Sequence, residues 1–490
     1  MQLRMDNGRT PPDSDWPVDA GVPIVVDAET TVSRASLLIV AIFAYLKPSP
    51  LRIFRIVAWL FKGRAHIECM LAEADGIPKV VLPLNSRLTA FADRAAADGR
   101  AVYLAVARRS PLLEKAASHF PSIAAVIVEE RVPSRVAGTA SAALSDRFPG
   151  GYDAVIGRRG GAEVIRHAPF GVLAGAPQSR KSTVPVTTGF PSRSVLRELI
   201  GSGRLHQCLK NFIVFVPVVL GGRVTDLTQV VDTFVAFIAL SCVASGTYLV
   251  NDIWDIADDC KHWTKKDRPI ASGRLPAATA LIVALSIIPL GVLLGALVSW
   301  KTGAMLALYL AVTLCYTLRL KTVPFVDGLA LATLFTIRLG IGAAAADVPP
   351  SPWLFVFSMF LFSSLSYAKR HTEIARTIVP LGEQDKEVNG RGYRLIDAPM
   401  VLTVGLSSGI GAVVIMVLYI VEEAFRISFY GSTTWLWGFP PIIFLFVVRI
   451  WLVSARGEMH DDPVAFAMKD GMCIALLACL LVCFGFAWLG

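Results

Sequence analysis

The chain has 490 residues, of which 54% are hydrophobic and 17% are charged, and its formal net charge is +9. This balance is too apolar for an ordinary soluble enzyme, and the apolar residues concentrate after about residue 206. The positive charge does not indicate a nucleic-acid partner, because the basic residues fall largely at the ends of apolar segments, where membrane proteins place them. We therefore expect a multi-domain protein with a soluble front and a polytopic membrane body.

The front of the chain is predicted to be an α/β domain. Residues 1–22 lack an apolar core and are predicted to form a disordered tail without a secretory signal. Over residues 23–178, short apolar runs alternate with helical stretches, which is typical of a parallel sheet. The runs are Ile24–Val26, Ala101–Ala107, Ala124–Val128, Ala154–Ile156 and Gly171–Ala174. The apolar stretch Ser36–Phe61 is either a helical cap against the bilayer or a hairpin inserted in it. Residues 179–195, rich in Ser, Thr, Pro and Gly, are predicted to be a linker.

Residues 196–490 are predicted to form an all-α bundle of nine transmembrane helices. Nine apolar segments are long enough to span, or nearly span, a hydrocarbon core of ~30 Å. They cover approximately 209–221, 229–250, 278–299, 303–319, 324–346, 352–368, 400–421, 434–453 and 470–489. One set of alternate connections carries fifteen Lys or Arg residues, and the other carries three, Arg223, Lys301 and Arg426. This asymmetry predicts a bacterial-type inner-membrane protein whose front domain and site are cytoplasmic.

A cluster of acidic residues follows the second apolar segment directly. If the helix persists, Asn251, Asp255 and Asp259 lie at i, i+4 and i+8, and Asp252 precedes Asp255 by three residues. Carboxylates that close repel each other unless a divalent cation compensates them, and oxygen ligands suit Mg²⁺. Lys265, Lys266 and Arg268 follow and would neutralise phosphate charge. The alternative is a solvated helix end with local ion pairs.

Other polar residues lie at or inside apolar segments. Lys369 and Arg370 end one segment and are either positive-inside anchors or ligands for an anion. Asp327 and Arg338 share a helix face, so they should face a cavity or each other. Lys210, which opens the first segment beside Asn211, is an interfacial anchor or a ligand. His262 and His371 are interpreted as solvated loop residues rather than catalytic bases.

The pattern Asn251-Asp252-x-x-Asp255-x-x-x-Asp259, followed by Arg268-Pro269 and Ser272-Gly273, resembles the first signature of UbiA-type intramembrane prenyltransferases. Three further stretches resemble the polyprenyl (decaprenyl)-phosphate phosphoribosyltransferase branch of that superfamily. They are His206 to Asn211, Leu320 to Arg338, and Ser351-Pro-Trp-Leu followed by Lys369-Arg370-x-x-Glu373. The chain departs from the superfamily in having Cys260 where relatives commonly have Arg, and the Lys-Arg-x-x-Glu element in place of a second Asp-rich motif.

The resemblance implies a transferase that moves 5-phosphoribose from phosphoribosyl pyrophosphate to a polyprenyl phosphate and releases pyrophosphate, in cell-envelope biosynthesis. It implies Mg²⁺ as cofactor, with Asp252, Asp255 and Asp259 as metal ligands and Asn251 as a further catalytic residue. The implied substrate-binding residues are Lys210, Asn211, Tyr248, Lys265, Arg268, Lys321, Asp327, Arg338, Lys369 and Arg370. Prenyl transfer from a polyprenyl diphosphate to an aromatic or other small acceptor is the alternative. A non-enzymatic carrier is disfavoured because no internal repeat is visible, and a homo-oligomer is compatible with the sequence.

The front domain resembles haloacid dehalogenase-like phosphatases. Val26-Asp27-Ala28-Glu29-Thr30-Thr31 lies where that family has Asp-x-Asp-Gly-Thr, so Asp27 would be the nucleophile, but Glu29 and Thr30 replace the usual Asp and Gly. Val106 stands where a hydroxyl is expected, no Lys occurs around Ala140 and Ser141, and the final acidic loop is replaced by Gly157-Arg158-Arg159-Gly160-Gly161-Ala162-Glu163. Aspartyl-phosphate chemistry needs all of these groups together. The domain is therefore predicted to be a non-catalytic scaffold.

Overall fold

The computed structural model divides into two compact units. The front unit combines Met1–Gly203 with Tyr248–Ala284, and the bundle unit combines Arg204–Thr247 with Leu285–Gly490. The structure describes residues 23–27, 34–74, 93, 95–106, 110–118, 122–128, 147–150, 152–156, 171–173, 186–187, 195–203, 205–260, 265–376, 387–388, 391–424, 430–459 and 462–489. The predicted tail 1–22, residues 28–31, Ala140, Ser141, residues 157–163 and His262 lie outside the described residues.

A six-stranded parallel sheet forms the centre of the front unit. Its strands are β1 (Ile24–Asp27), β2 (Val102–Val106), β3 (Ile123–Val128), β4 (Asp153–Ile156), β5 (Gly171–Leu173) and β6 (Val186–Thr187), in the order β3-β2-β1-β4-β5-β6. Each of the five predicted apolar runs contains a strand, so the parallel α/β prediction is confirmed. Strand β1 is paired on both sides and its Ile24, Val25 and Val26 are buried, which explains the uninterrupted apolar run. Strand β6 lies within the predicted linker.

The described residues also form sixteen α-helices. In the front part of the chain they are α1 (Arg34–Leu46), α2 (Ile53–Leu60), α3 (Arg64–Glu73), α4 (Pro111–Ala117) and α5 (Val195–Ser202). The later helices are α6 (Val216–Leu220), α7 (Leu227–Trp254), α8 (Ile256–Asp259), α9 (Ala277–Val298), α10 (Trp300–Leu318), α11 (Val326–Ala345), α12 (Pro352–Ala375), α13 (Ala398–Glu422), α14 (Phe439–Ala455), α15 (Pro463–Ala467) and α16 (Gly471–Leu489). Strands β7 (Glu387–Val388) and β8 (Tyr393–Arg394) form a small antiparallel pair between α12 and α13.

Seven helical segments among the described residues are long and apolar enough to cross a membrane. They are Leu227–Trp254, Ala277–Val298, Trp300–Leu318, Val326–Ala345, Leu395–Glu422, Thr433–Ala455 and Gly471–Leu489, which confirms seven of the predicted segments. The count of nine is not confirmed. The segment 209–221 is a 3-10 helix, Leu205–Phe215, followed by the five-residue α6 with Pro217 in its first turn. The segment 352–368 lies in α12, whose serines reduce its hydropathy.

Small residues allow close approach of elements within the bundle unit. A Cβ atom at Gly342 of α11 would lie 2.0 Å from the backbone oxygen of Val214, so only glycine fits at this crossing. A Cβ atom at Gly405 of α13 would lie 2.1 Å from the ring of Trp451.

We predict that Gly342→Ala destabilises the bundle unit, because the new methyl group meets backbone rather than a movable side-chain end. Overpacking of this kind typically costs about 1–3 kcal/mol. The matched control is Gly485→Ala in α16, where a Cβ atom meets nothing within 4 Å. The apparent melting temperature of the purified full chain in detergent should fall for Gly342→Ala and stay level for Gly485→Ala, and equal values would contradict the packing.

Candidate functional site

The predicted acidic cluster lies on one continuous helical path. Helix α7 ends at Trp254 and α8 begins at Ile256, with Asp255 between them. The amide of Asp255 donates to the carbonyl of Asn251 at 2.9 Å, and the amide of Asp259 donates to the carbonyl of Asp255 at 2.8 Å. Because the helical hydrogen bonds continue, Asp252 and Asp259 lie about two turns apart on one face.

Arg268 compensates this pair of carboxylates. Its Nη1 atom donates to Asp252 Oδ1 at 3.2 Å and to Asp259 Oδ2 at 2.6 Å. Both aspartates are only 3% exposed, so their charges repel through a poorly hydrated space unless a cation lies between them. Burial raises the pKa of Asp259 above its ordinary value, and the nearby guanidinium of Arg268 lowers it without cancelling that effect. The Nη1 atom of Arg268 therefore lies where a cation could interact with both carboxylates at once.

The donor set of this pair suits a divalent ion. No three His, Cys, Asp or Glu side chains among the described residues lie close enough together to hold a metal. However, Mg²⁺ usually binds through one or two carboxylates and completes its shell with water and substrate phosphate oxygens. Asp252 and Asp259 already share one cationic nitrogen, and they fit that requirement. The third predicted ligand, Asp255, is half-buried beside them, and its role stays a prediction.

The remaining predicted residues of this segment lie close in sequence to the pair. Tyr248 and Asn251 are half-buried in the last two turns of α7, and Lys265 is half-buried in the 3-10 turn Lys265–Asp267. Asp258, in contrast, points away from Arg268 and pairs with Lys47 of the front unit, and its side chain is 63% exposed. Asp258 thus lies beside Asp259 in α8 but does not belong to the carboxylate pair that Arg268 contacts.

A second group of charges is buried in the bundle unit around Arg370. Arg370 Nε donates to Asp327 Oδ2 at 2.6 Å, and Nη1 donates to Glu373. Arg391 lies 3.7 Å from the same Glu373 carboxylate. Because Arg370 and Asp327 are both almost inaccessible, this ion pair is a structural constraint as well as a candidate for substrate binding.

Tyr393 connects this group to a strained backbone position. Its hydroxyl donates to Asp327 Oδ1 at 2.7 Å and accepts from the amide of Phe325 at 2.7 Å, and burial raises the pKa of Tyr393. Phe325 has a φ of 65°, which a residue with a side chain rarely adopts. Tyr367 holds the other side of the same residue by donating to the Phe325 carbonyl at 3.0 Å. The two tyrosines therefore stabilise the turn that starts α11.

Lys210 and Lys369 lie near one carboxylate, Asp462. Lys210 forms an ion pair with Asp462, and Lys369 interacts electrostatically with both residues. Burial alone would raise the pKa of Asp462, but the two ammonium groups lower it below its ordinary value, so the carboxylate stays charged. Both lysines are only partly accessible, and their role as ligands for an anion stays a prediction.

Asp327 and Arg338 do not pair with each other among the described residues, which excludes the buried pair between them. Arg338 Nε donates to Asn211 Oδ1 at 3.1 Å, and its Nη2 donates to the hydroxyl of Tyr309 at 3.0 Å. Asn211 in turn donates to Ser241 Oγ at 3.0 Å. Asp327 and Arg338 share a face of α11 because they are eleven residues apart. Each nevertheless pairs with a residue of another element, Asp327 with Arg370 and Arg338 with Asn211.

Two further predicted positions lie in these connections. Lys321 is half-buried in the 3-10 turn Leu320–Thr322. His371 is buried rather than solvated: its Nδ1 atom lies 3.1 Å from Ser454 Oγ, and its ring contacts Trp451 edge-on. The interpretation of His371 as a solvated loop residue is therefore wrong, because α12 continues helically to Ala375.

Sequence reasoning missed Arg391, Tyr393 and Asp462. Arg391 and Tyr393 lie in a connection that the hydropathy pattern treats as a loop, and they reach the buried charges through the turn before α13. Asp462 immediately precedes Pro463, which resembles an ordinary helix start. No local sequence pattern marks these three residues, because each contacts its charged partner on another element.

The chain matches one family model and several curated relatives. Residues 212–469, more than half of the chain, match the model of the UbiA prenyltransferase family. The protein y4nM of Sinorhizobium fredii is 30% identical over 92% of this chain and 88% of its own length. The decaprenyl-phosphate phosphoribosyltransferase of Corynebacterium glutamicum is 30% identical over 38% of this chain, and the match covers 57% of that enzyme. The structure of a UbiA homologue from Archaeoglobus fulgidus bound to DMAPP and Mg²⁺ covers 59% of this chain and 99% of its own, with a TM-score of 0.45 and 12% identity.

We predict that Arg370→Met lowers the stability of the chain, because it leaves Asp327 buried without its cation. Breaking one side of a buried pair typically costs ~3–5 kcal/mol. Arg319→Met is the control, since that exposed arginine lies at the end of α10. The apparent melting temperature should drop clearly for Arg370→Met only. A similar small change in both variants would contradict a structural role for the Asp327–Arg370 pair.

Proposed function

Since the chain belongs to the UbiA prenyltransferase family and is a multi-pass membrane protein, we propose that it transfers 5-phosphoribose from phosphoribosyl pyrophosphate to a polyprenyl phosphate. The observation that carries the proposal is the pair of buried carboxylates, Asp252 and Asp259, sharing one cation. The relative from Corynebacterium glutamicum is a decaprenyl-phosphate phosphoribosyltransferase, which supports the choice of donor and acceptor. The excess of Lys and Arg in one set of connections supports a cytoplasmic site in a bacterial inner membrane.

On the donor side, the front unit binds the diphosphate. When bound, Mg²⁺ supplies positive charge that compensates the pyrophosphate oxygens. Asp252 and Asp259 would hold that ion together with water and phosphate oxygens. Asp255 would have to move closer to act as the third ligand, and Asn251 would orient a carboxylate or bond to a substrate oxygen. Lys265 and Arg268 bind the pyrophosphate and stabilise its negative charge as the bond from C1 of the ribose to its oxygen breaks. Lys321 is proposed to assist in neutralising the leaving group.

On the acceptor side, the bundle unit supplies cations for a lipid phosphate. Lys210, Lys369, Arg370 and Arg391 face the three carboxylates of Asp462, Glu373 and Asp327, which leaves a surplus of one positive charge. A phosphate head group is attracted to this surplus. Its ionised oxygen attacks C1 of the ribose while pyrophosphate leaves, so no general base is required. Asn211 and Arg338 position the element that carries Lys210.

The alternative is prenyl transfer from a polyprenyl diphosphate, because the same carboxylate pair suits any diphosphate. Membranes containing the chain should be supplied with Mg²⁺, labelled phosphoribosyl pyrophosphate and a polyprenyl phosphate. We expect labelled phosphoribosyl lipid and free pyrophosphate. Consumption of a polyprenyl diphosphate with an aromatic acid, and no labelled lipid from the first mixture, would overturn the proposal in favour of the alternative.

We predict that Asp252→Asn abolishes this transfer, because it removes one of the two charges that hold the cation. Asp258→Asn is the matched control, since its carboxylate is on the same helix but pairs with Lys47. Initial rates should be compared at equal amounts of folded protein. Rates that are unchanged in Asp252→Asn, or lost equally in both variants, would defeat the assignment of the carboxylate pair.

We further propose that the front domain is a haloacid dehalogenase-like scaffold without phosphatase activity. The sheet order supports this, because Asp27, Val106 and Ile156 end neighbouring parallel strands at one edge of the sheet, and Val106 stands where the phosphatases have a hydroxyl residue. Asp27→Asn should leave lipid transfer unchanged, because no reaction passes through that edge. A phosphatase activity of the full chain that disappears in Asp27→Asn would contradict the proposal.

A further inference from the structure

Helix α2 of the front unit exposes an apolar stripe. Its exposed apolar residues, with one that directly follows the helix, recur at i, i+1, i+4, i+7 and i+8, which places them on one face. They are Ile53, Phe54, Val57, Leu60 and Phe61. Phe54 is 71% exposed and Phe61 is 89% exposed, and Leu51 adds another exposed side chain just before the helix. A contiguous exposed apolar face of this kind marks an interaction surface.

The helix is nevertheless fixed to the rest of its unit by a different side. Ile56 is 3% exposed. The ring of Trp59 lies 5.3 Å from that of Tyr45 at the end of α1. Arg52 stacks over the same tyrosine ring at 4.8 Å and donates to the Tyr45 carbonyl at 3.1 Å. Packing of Ile56 and Trp59 on the other side of α2 therefore leaves the apolar stripe exposed.

In the sequence around the stripe, the charged residues have one sign. Between Glu29 and Glu68 the sequence contains no acidic residue, whereas it contains six basic ones, namely Arg34, Lys47, Arg52, Arg55, Lys62 and Arg64. On the helical wheel, Arg55 and Lys62 lie roughly opposite the apolar stripe. Phe and Leu on one face with Lys and Arg on the other is the composition of helices that lie in the plane of a membrane interface and bind anionic lipids.

The segment before the stripe contacts the end of a membrane span. Phe43 of α1 lies edge-on to Trp254, the last residue of α7, with ring centroids 6.0 Å apart. Lys47 pairs with Asp258 just beyond that span. Leu51 follows Lys47 by only four residues, so the stripe starts within a short distance of the point where α7 leaves the bilayer. This proximity to the end of a membrane-length helix favours a lipid surface over a protein as the occupant of the stripe.

We propose that residues 51–62 dock into the headgroup region of the leaflet at which α7 ends, with the apolar stripe towards the acyl chains and the basic residues towards anionic head groups. This interface holds the front unit at the membrane independently of any transfer reaction. Residues 51–62 lie along the surface of one leaflet and do not cross it, because the inward face carrying Ile56 is already packed against the front unit.

The test uses the full chain in lipid nanodiscs with an environment-sensitive fluorescent amino acid at position 61 or, as control, at position 98. Asp98 is an exposed residue of the same unit outside the stripe. Lipids with a spin label near the glycerol should quench the probe at 61 several-fold more than the probe at 98. Quenching at 61 should be greater with phosphatidylglycerol than with phosphatidylcholine, and salt should reduce the difference. Equal quenching at both positions would overturn the proposal.

A charge variant distinguishes docking into lipid from burial against a second copy of the chain. Phe54→Glu, placed in the chain that carries the probe at 61, should remove the quenching, whereas Ala97→Glu, at an exposed site away from the stripe, should not. Both positions are exposed, so folding is preserved. If the probe at 61 is shielded only in discs that hold two chains and is not quenched by labelled lipid, a second copy covers the stripe and the proposal is wrong.

Discussion

Asp252 and Asp259 receive hydrogen bonds from the same guanidinium nitrogen of Arg268, and both carboxylates are buried at the end of a membrane-length helix. Two negative charges in that environment are stable only with a cation between them. Arg268 supplies it in the structure, and its loop returns to the helix end through the turn Lys265–Asp267. In the proposed reaction, a divalent ion would take the place of Arg268 between the two carboxylates, and Arg268 would bind the diphosphate.

In the bundle unit, the central buried charge is a cation, Arg370, and its partners are carboxylates. Arg370 is surrounded by carboxylates from two positions, and Tyr393 fixes Asp327 and the strained Phe325 at once. These contacts make the turn before α11 rigid. Rigid, partly neutralised cations near a helix end are suited to a phosphate head group, because they need little rearrangement when it binds. Stability and the proposed acceptor binding therefore depend on the same residues.

The sequence predicted five of the six strands of the sheet, seven membrane-length helices and the helical path through the acidic cluster, because each depends on local periodicity. It did not predict the partners of the buried charges. Asp327 and Arg338 share a helix face, but the choice between pairing with each other and pairing with Arg370 and Asn211 depends on which helices are neighbours. Arg391, Tyr393 and Asp462 were missed for the same reason. The segment before α6 was expected to span the membrane, but it is largely 3-10 helix and holds the buried Asn211.

The proposed chemistry requires that the pair Asp252 and Asp259 grips a cation together with a diphosphate. Thermal protection of the purified full chain tests this directly: melting is followed with Mg²⁺ alone, phosphoribosyl pyrophosphate alone, both together, and Mg²⁺ with a prenyl diphosphate. We expect a raised melting temperature only when Mg²⁺ and phosphoribosyl pyrophosphate are both present, and loss of that rise in Asp259→Asn. Protection that needs no Mg²⁺, or that survives in Asp259→Asn, would contradict the assignment.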